Sequence, residues 1–400
     1  MDETTGGNTL MKINLIIPTF YPATGFGGPI FSTLYASQAL SSLDGVELIV
    51  STTNANANNE KKLDVEINKP IEFNKNFFVK YYNAVVGEVS ISLFANIWRE
   101  IKSADVIHLQ AIFGTAIPVS LLYAKIFKKP LLLSPRGSLC SWCLGQGNSF
   151  KQLWLKILIK PFYKSIAWHA TSDAEKEDIL TIFPEAKVYK VPNGIDINAY
   201  KTINFCNKKE YIKKYLNLDI TPSKIIVSMG RLHKVKGFDI LIRSFIEVLK
   251  VYPEAILLIA GKDAGEKKHL EKIINELNIG KQIYFVGEVS DQNKIDFLAN
   301  ADLFVLPSHT ENFGNVYVES LAAGTPIVAS TGTPWSEVET SNCGKWVKNS
   351  IEKTTIAIIE MLNQDREKMR SNAKKLAQKY NWKTIAIQFK TIFLEMEKSQ

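Results

Sequence analysis

Short runs of consecutive apolar residues alternate along the chain with longer stretches in which apolar positions recur at helical spacing. The runs 12–18, 46–51, 106–109, 130–133, 168–170, 188–191, 224–229, 255–260, 283–286, 303–306 and 326–329 are predicted strands. Most are apolar throughout rather than alternating, the mark of strands covered on both faces by helices. Strand–helix alternation predicts parallel sheets joined by right-handed crossovers, an α/β doubly wound architecture, and excludes an antiparallel sandwich. So many strands exceed one comfortable sheet. The turn Pro192-Asn193-Gly194-Ile195-Asp196, followed by a polar, Lys-rich stretch to about Ser223, divides the chain into two Rossmann-like domains, 11–193 and 194–381. Each domain opens alike, on a strand that runs into a Gly-containing loop and then a helix. Trp382, Ile385, Phe389, Ile392, Phe393 and Met396 recur at helical spacing, so a helix over 382–398 is expected to pack its apolar face back on the N-terminal domain.

Composition narrows the class. With 46% hydrophobic and 22% charged residues over 400 positions, the chain is neither disordered nor fibrous. Its four Cys, at 140, 143, 206 and 343, make no disulfide framework and favour a reducing compartment. The start, MDETTGGNTL, lacks the basic opening of a signal peptide, so a cytoplasmic location is expected. The longest uncharged stretch, 106–124, holds His108, Gln110, Gly114 and Pro118 and reads as a strand followed by a helix rather than a membrane span. The net charge of +8 is unevenly spread: from Val106 to Ser172 there are eight Lys or Arg and no Asp or Glu. Such a zone attracts anions. Lys151, Lys156, Lys160 and Lys164 fall on one side of a predicted helix, with Trp154, Leu158 and Phe162 near by. A peripheral contact with an anionic membrane through 125–164, at the inner face of the cell membrane, is the expectation; a solvated outer helix face is the plainer reading. No nucleic-acid partner is expected.

Candidate chemistry gathers in the loops. Thr24-Gly25-Phe26-Gly27-Gly28-Pro29 lets backbone N–H groups approach an anion at a helix N-terminus, although it is neither GxGxxG nor a Walker A run. Gly230-Arg231-Leu232-His233-Lys234-Val235-Lys236-Gly237 crowds cations at the mouth of a strand, where open α/β sheets bind ligands. Between Pro307 and Pro326, Phe313, Gly314 and Asn315 open a helix whose first amides suit a phosphate, with Glu311 just before it and Glu319 inside it. Two carboxylates beside an anion site make sense when they accept hydrogen bonds from hydroxyls, and a sugar supplies hydroxyls. His309 stands next to Glu311, and Cys140-Ser141-Trp142-Cys143 has no second pair at metal spacing.

Glu311 and Glu319 match an E-x7-E pattern. Together with Gly230-Arg231, Lys236-Gly237, Gly27-Gly28, the Pro192 to Asp196 turn and Tyr380-Asn381-Trp382, in that family's order, they resemble the retaining glycosyltransferases called family 4. The Glu311-Asn312-Phe313-Gly314 form, with Gly332-Thr333-Pro334-Trp335 downstream, is similar to the subgroup common in bacterial surface-polysaccharide assembly, which includes lipopolysaccharide and capsule. The resemblance implies the GT-B fold, two Rossmann-like domains facing each other across a cleft, with acceptor bound by the first and nucleotide-sugar by the second. It implies a hexosyltransferase acting on a nucleotide-sugar donor and a lipid-linked or oligosaccharide acceptor, without a cofactor. Arg231 and Lys236 would hold the donor diphosphate, Glu311 the hydroxyls of the transferred sugar and Glu319 the ribose. The amides of Phe313, Gly314 and Asn315, with Gly27 and Gly28, would complete the donor site. Many family members carry His where this chain reads Ser134-Pro135-Arg136-Gly137; a guanidinium is no general base, so Arg136 is assigned to an acceptor phosphate. A nucleotide-sugar oxidoreductase or epimerase would need the absent GxGxxG, a silent sugar-binding protein would not need the charged loops, and a glycoside hydrolase has no use for a diphosphate clamp.

No Asp-x-Asp occurs in the chain, so protein cations take the place of a divalent metal. Transfer is expected to persist unchanged in excess EDTA; abolition by EDTA with restoration by Mg²⁺ would overturn this.

Overall fold

The computed structural model describes residues 10–57, 61–145 and 149–399, and residues 1–9 of the start read above for a signal peptide lie outside them. The chain divides into two units, one running to Gly194 and taking in Trp382 onward, the other spanning Ile195–Asn381. The strands of the first unit are β1 (Met11–Thr19), β2 (Val46–Thr53), β3 (Pro70–Asn74), β4 (Phe77–Tyr82), β5 (Val106–Gln110), β6 (Leu131–Ser134), β7 (Ala167–Ala170) and β8 (Lys187–Lys190). They lie in the order β3-β4-β2-β1-β5-β6-β7-β8. Every pairing is parallel except β3 with β4. The second unit holds β9 (Ile225–Met229), β10 (Ile256–Ala260), β11 (Ile283–Gly287), β12 (Leu303–Leu306), β13 (Ile327–Ser330) and β14 (Gly344–Val347), in the order β11-β10-β9-β12-β13-β14 with parallel pairing throughout. Both sheets reverse direction beside their first strand, between β1 and β5 and between β9 and β12. That reversal opens a crevice at the carboxyl ends of the strands, the usual ligand position in such sheets.

Three strands escape the apolar-run reading: β3, β4 and β14. The first and last are edge strands. β3 carries Pro70 at its start and alternates exposed with half-buried positions, so it never presents a continuous apolar run. β4 is a buried strand interrupted by Lys80, which reaches Glu100 at 2.7 Å and so brings its charge into the sheet's flank already neutralised.

The first sheet is covered on one face by helices Gly28–Ser41 and Trp382–Lys398, and on the other by Ile91–Ser103, Ile117–Ile126 and Asp173–Ile182. Of the terminal helix, Trp382, Ile385, Phe389, Ile392, Phe393 and Met396 are all buried in the first unit's core. The chain leaves and re-enters this unit at one place. Gly194 lies against the Trp382 indole so closely that a Cβ would collide with it. Deleting the buried ring of Phe393 should lower the unfolding free energy by about 3–5 kcal/mol. Chemical denaturation of Phe393→Ala checks this, and a loss below 1 kcal/mol would mean that the helix contributes little to this core.

Candidate functional site

At the carboxyl edge of the second sheet, four loops approach each other so closely that only glycine fits at the contacts. After β9 the chain turns through a short 3₁₀ turn, Lys234–Lys236, and Gly237 adopts φ +66°; a Cβ there would collide with the Pro307 carbonyl after β12. A Cβ on Gly332, after β13, would collide with the His309 carbonyl, and one on Gly261, after β10, with that of Gly230. Backbone hydrogen bonds tie the same loops: His309 N–H donates to Val235 O at 2.7 Å and Glu311 N–H to Gly332 O at 3.0 Å. The consequence is an ion pair between Lys236 Nζ and Glu311 Oε1 at 2.5 Å, with Ser308 Oγ–H donating to the same oxygen at 2.9 Å. Both side chains are mostly shielded, 17% and 12% exposed, so this pair feels less solvent screening than a surface bridge.

The helix Asn315–Ala323 begins beside this pair, capped by Gly314 at φ +75°. Phe313 directs its ring into the core against Trp335 and Tyr380, at 5.1 and 5.7 Å, and its carbonyl accepts the Trp335 indole N–H at 2.6 Å. Only its backbone is therefore available to a ligand. Tyr317 anchors the helix from below by donating to Leu306 O at 2.7 Å. Glu319, in the second turn, pairs with Lys294 Nζ at 2.7 Å. Arg231, at the other end of the β9 loop, is exposed and has no side-chain partner among the described residues. His309 is also exposed, its ring 3.2 Å from the Asn349 amide.

In the first unit, Gly27 (φ +78°) caps the helix Gly28–Ser41, with Pro29 at its start. A side chain there would meet nothing, so it is the backbone conformation that requires glycine. Thr33 of this helix donates to Gln110 Oε1 at 2.9 Å, and Arg136 donates to the same oxygen from Nε and Nη2 at 3.2 and 3.0 Å and from Nη1 to Asn193 Oδ1 at 3.0 Å. Arg136 and Gly137 both adopt left-handed φ, +58° and +76°. That uncommon turn is held by buried Glu175, which accepts from Gly137 N–H at 2.6 Å and from the Thr171 amide and hydroxyl at 2.7 and 2.9 Å. Burial lowers the Arg136 guanidinium to about 10 and the Glu175 carboxylate opposes the shift, so it stays charged at neutral pH. Gln110, Thr33, Glu175, Ser308 and Lys294 had no signal in the sequence beyond their places near strand ends or on helices, and Asn193 was read only as part of the turn between the domains.

Behind Arg136 lies a buried polar chain. His108 Nε2 and His169 Nδ1 flank Ser134 Oγ at 2.8 and 2.7 Å, and His169 Nε2 is 2.8 Å from Val191 O. The carbonyl can only accept, so His169 carries its proton on Nε2, Ser134 donates to Nδ1, and His108 donates to Ser134. Phe389 and Phe393 of the terminal helix pack over the His108 ring at 5.8 and 5.9 Å. Burial, with the nearby Arg136 charge adding to it, lowers His169 to about 3, and burial takes His108 well below the usual imidazole range. Both rings are neutral. Cys143 is no better as a reactive group, since burial pushes its thiol up to about 12.

The expected basic helix is altered. Ser149–Trp154 is helical, Leu155–Ile159 forms a π turn with Lys160 N–H donating to Leu155 O at 2.8 Å, and Lys164 lies beyond it in a 3₁₀ turn paired to Glu185. The outward side chains are Phe150, Leu153 and Ile157, 60%, 54% and 56% exposed, rather than Trp154, Leu158 and Phe162, which are half-buried. No helix among the described residues is long and apolar enough to cross a membrane.

Residues 210–379 match the family model described as glycosyl transferases group 1. An uncharacterized glycosyltransferase of Methanocaldococcus jannaschii is 30% identical over 231 residues, 56% of this chain and 58% of that protein. A GDP-mannose-dependent monoacylated alpha-(1-6)-phosphatidylinositol monomannoside mannosyltransferase of Corynebacterium glutamicum is 31% identical over 181 residues, 43% of this chain and 46% of that one. The chain thus spans about half the length of the curated relatives it matches. Among solved structures, Anabaena Alr3699/HepE in complex with UDP is similar over 96% of this chain and 100% of its own, with TM-score 0.72 at 19% identity. That likeness shows the GT-B fold, two Rossmann-like α/β domains.

The neutral histidines generate a pH dependence. A group whose folded pKa is depressed contributes stability that is present above its unfolded value, 6.5 for histidine, and is lost as pH falls towards the folded value, about 3 for His169. Urea unfolding between pH 7.5 and 4.5 should show stability falling below about pH 6.5, by up to about 1.4 kcal/mol per pH unit for each imidazole. His169→Gln should flatten that slope, and an unchanged slope would remove His169 from the account.

Proposed function

We propose that the chain, whose residues 210–379 match the family model of the group 1 glycosyl transferases, is a retaining hexosyltransferase that moves a sugar from a nucleotide-sugar donor to a glycan acceptor. The acceptor is lipid-linked, as in the assembly of bacterial surface polysaccharide. The observation that carries the reading is the shielded Lys236–Glu311 pair, joined by Ser308 and set beside the Gly314 helix start. A cation and a carboxylate so placed suit a sugar phosphate: the phosphate takes Lys236 and the first amides of the helix, while sugar hydroxyls donate to Glu311. Arg231 extends the cationic side, and Glu319, oriented by Lys294, accepts from the ribose.

In the reaction the bond from the anomeric carbon to the β-phosphate oxygen breaks, and the acceptor hydroxyl oxygen forms the new bond on the same face. The acceptor's proton passes to the departing phosphate oxygen, so no protein base is needed, consistent with Arg136 at the position many relatives give to histidine. Negative charge grows on the leaving diphosphate. Each charge-assisted hydrogen bond to it contributes about 1.5–3 kcal/mol, so Lys236, Arg231 and the helix amides act together on the barrier. Arg136, held charged and aimed by Gln110 and Asn193, binds an acceptor phosphate on the first unit. The exposed Phe150, Leu153 and Ile157, flanked by Lys151, Lys156 and Lys160, rest on the anionic inner face of the cell membrane, where a lipid-linked acceptor resides.

A panel of UDP- and GDP-sugars, read by released nucleotide, tests the donor assignment; the UDP of the Anabaena structure and the GDP-mannose of the Corynebacterium relative define its two arms. With the preferred donor, Lys236→Ala should lower kcat at least about 100-fold, close to 2.7 kcal/mol of barrier, with an unchanged circular dichroism spectrum. Near-normal turnover would remove Lys236 from the mechanism.

A further inference from the structure

A second concentration of positive charge lies at the opposite edge of the first sheet from Arg136. Where β6, β7 and β8 begin, a pocket of about 430 Å³ is ringed by Lys125, Lys128, Lys129, Lys164 and Lys187. Its apolar lining includes Phe162, Ile166 and Met396, and no acidic residue lines it. Lys164 and Lys187 have exposed carboxylate partners outside the pocket, Glu185 at 2.6 Å and Glu395 at 2.9 Å. Lys125, Lys128 and Lys129 have none among the described residues; Lys125 rests over the Phe162 ring at 5.5 Å. The three lysines without a carboxylate partner repel one another, and an anion entering between them relieves that repulsion. The volume falls in the range of about 300–1,000 Å³ usual for small-molecule sites.

We infer that this pocket binds the phosphate headgroup of an anionic phospholipid, with the phosphate among Lys125, Lys128 and Lys129 and the glycerol against Phe162 and Met396. Resting on the membrane contact proposed above, the assignment is distinct from the reaction site, which uses the opposite ends of the strands. A lipid source is favoured over a soluble phosphate by the surroundings. The helix Ile117–Ile126, which supplies Lys125, exposes Leu122 and Ile126 to 47% and 57%. Phe162 follows the segment that exposes Phe150, Leu153 and Ile157. Exposed apolar side chains on the helix that supplies Lys125 suit a ligand that arrives attached to a bilayer.

The test is vesicle flotation of the full chain with phosphatidylcholine alone or mixed with phosphatidylglycerol, together with calorimetric titration of soluble glycerol 3-phosphate. Wild-type protein should float with the mixed vesicles, and the triple variant Lys125→Ala/Lys128→Ala/Lys129→Ala should bind them at least about tenfold more weakly. A control triple, Lys213→Ala/Lys268→Ala/Lys281→Ala, removes the same charge elsewhere and should bind as wild type. Arginine at the three pocket positions should retain binding, which guards against misfolding as the cause. Equal weakening in the pocket and control triples would overturn the pocket, leaving only diffuse electrostatics. Failure of wild type to float would overturn the membrane reading itself; glycerol 3-phosphate binding lost only in the pocket triple would then reassign the site to a soluble phosphate ester.

Discussion

The candidate donor site depends on how closely four backbone loops can approach at the carboxyl edge of the second sheet. Gly237 under Pro307, Gly332 under His309 and Gly261 under Gly230 each stand where a single methyl group would collide with a carbonyl. Because those contacts close, the loop after β9 and the loop after β12 run side by side, and the Lys236 ammonium meets the Glu311 carboxylate. A looser edge would leave the two charges separately solvated. The site is thus made by the absence of side chains at three positions as much as by the presence of charged ones.

The first unit solves a comparable problem with polar rather than steric means. Arg136 occupies a left-handed turn that a non-glycine residue adopts only under constraint, and the constraint is the buried Glu175 carboxylate below it. Its guanidinium is then aimed by two amide side chains, Gln110 and Asn193. Beneath this lies the His108–Ser134–His169 chain, satisfied at its far end by Val191 O and roofed by the aromatic rings of the terminal helix. A buried polar chain is favourable only when its members are paired, and here proton placement follows from the carbonyl that ends it.

Charge is distributed with the same economy. At the candidate site of the second unit the shielded lysines face carboxylates, as Lys236 faces Glu311 and Lys294 faces Glu319. In the acid-free stretch of the first unit Lys151 meets a backbone group, Cys143 O, while Lys125, Lys128 and Lys129 stand around the amino-edge pocket without a carboxylate partner among the described residues. The first pattern suits a ligand that brings both hydroxyls and phosphate; the second suits one that brings negative charge alone.

Apolar patterning is a local property, and so the doubly wound architecture was legible: continuous runs such as β5, β9 and β12 declare strands buried on both faces whatever lies beside them. The same logic hid β3 and β14, which are edge strands with one side unburied, and β4, whose Lys80 is neutralised only by a helix distant in sequence. It also misjudged the outer face of 149–159, because a π turn shifts which residues point outward. Loop motifs put Lys236, Glu311 and Glu319 forward as candidates, and the family resemblance added Arg136. What surrounds them was decided by strand order. Lys236 and Glu311 are 75 positions apart and meet because β9 and β12 are neighbours, and His108, Ser134 and His169 align because β5, β6 and β7 are consecutive in the sheet. Sequence sets what each segment buries; which segments become neighbours, and hence which charges share one space, is settled by packing the sheets.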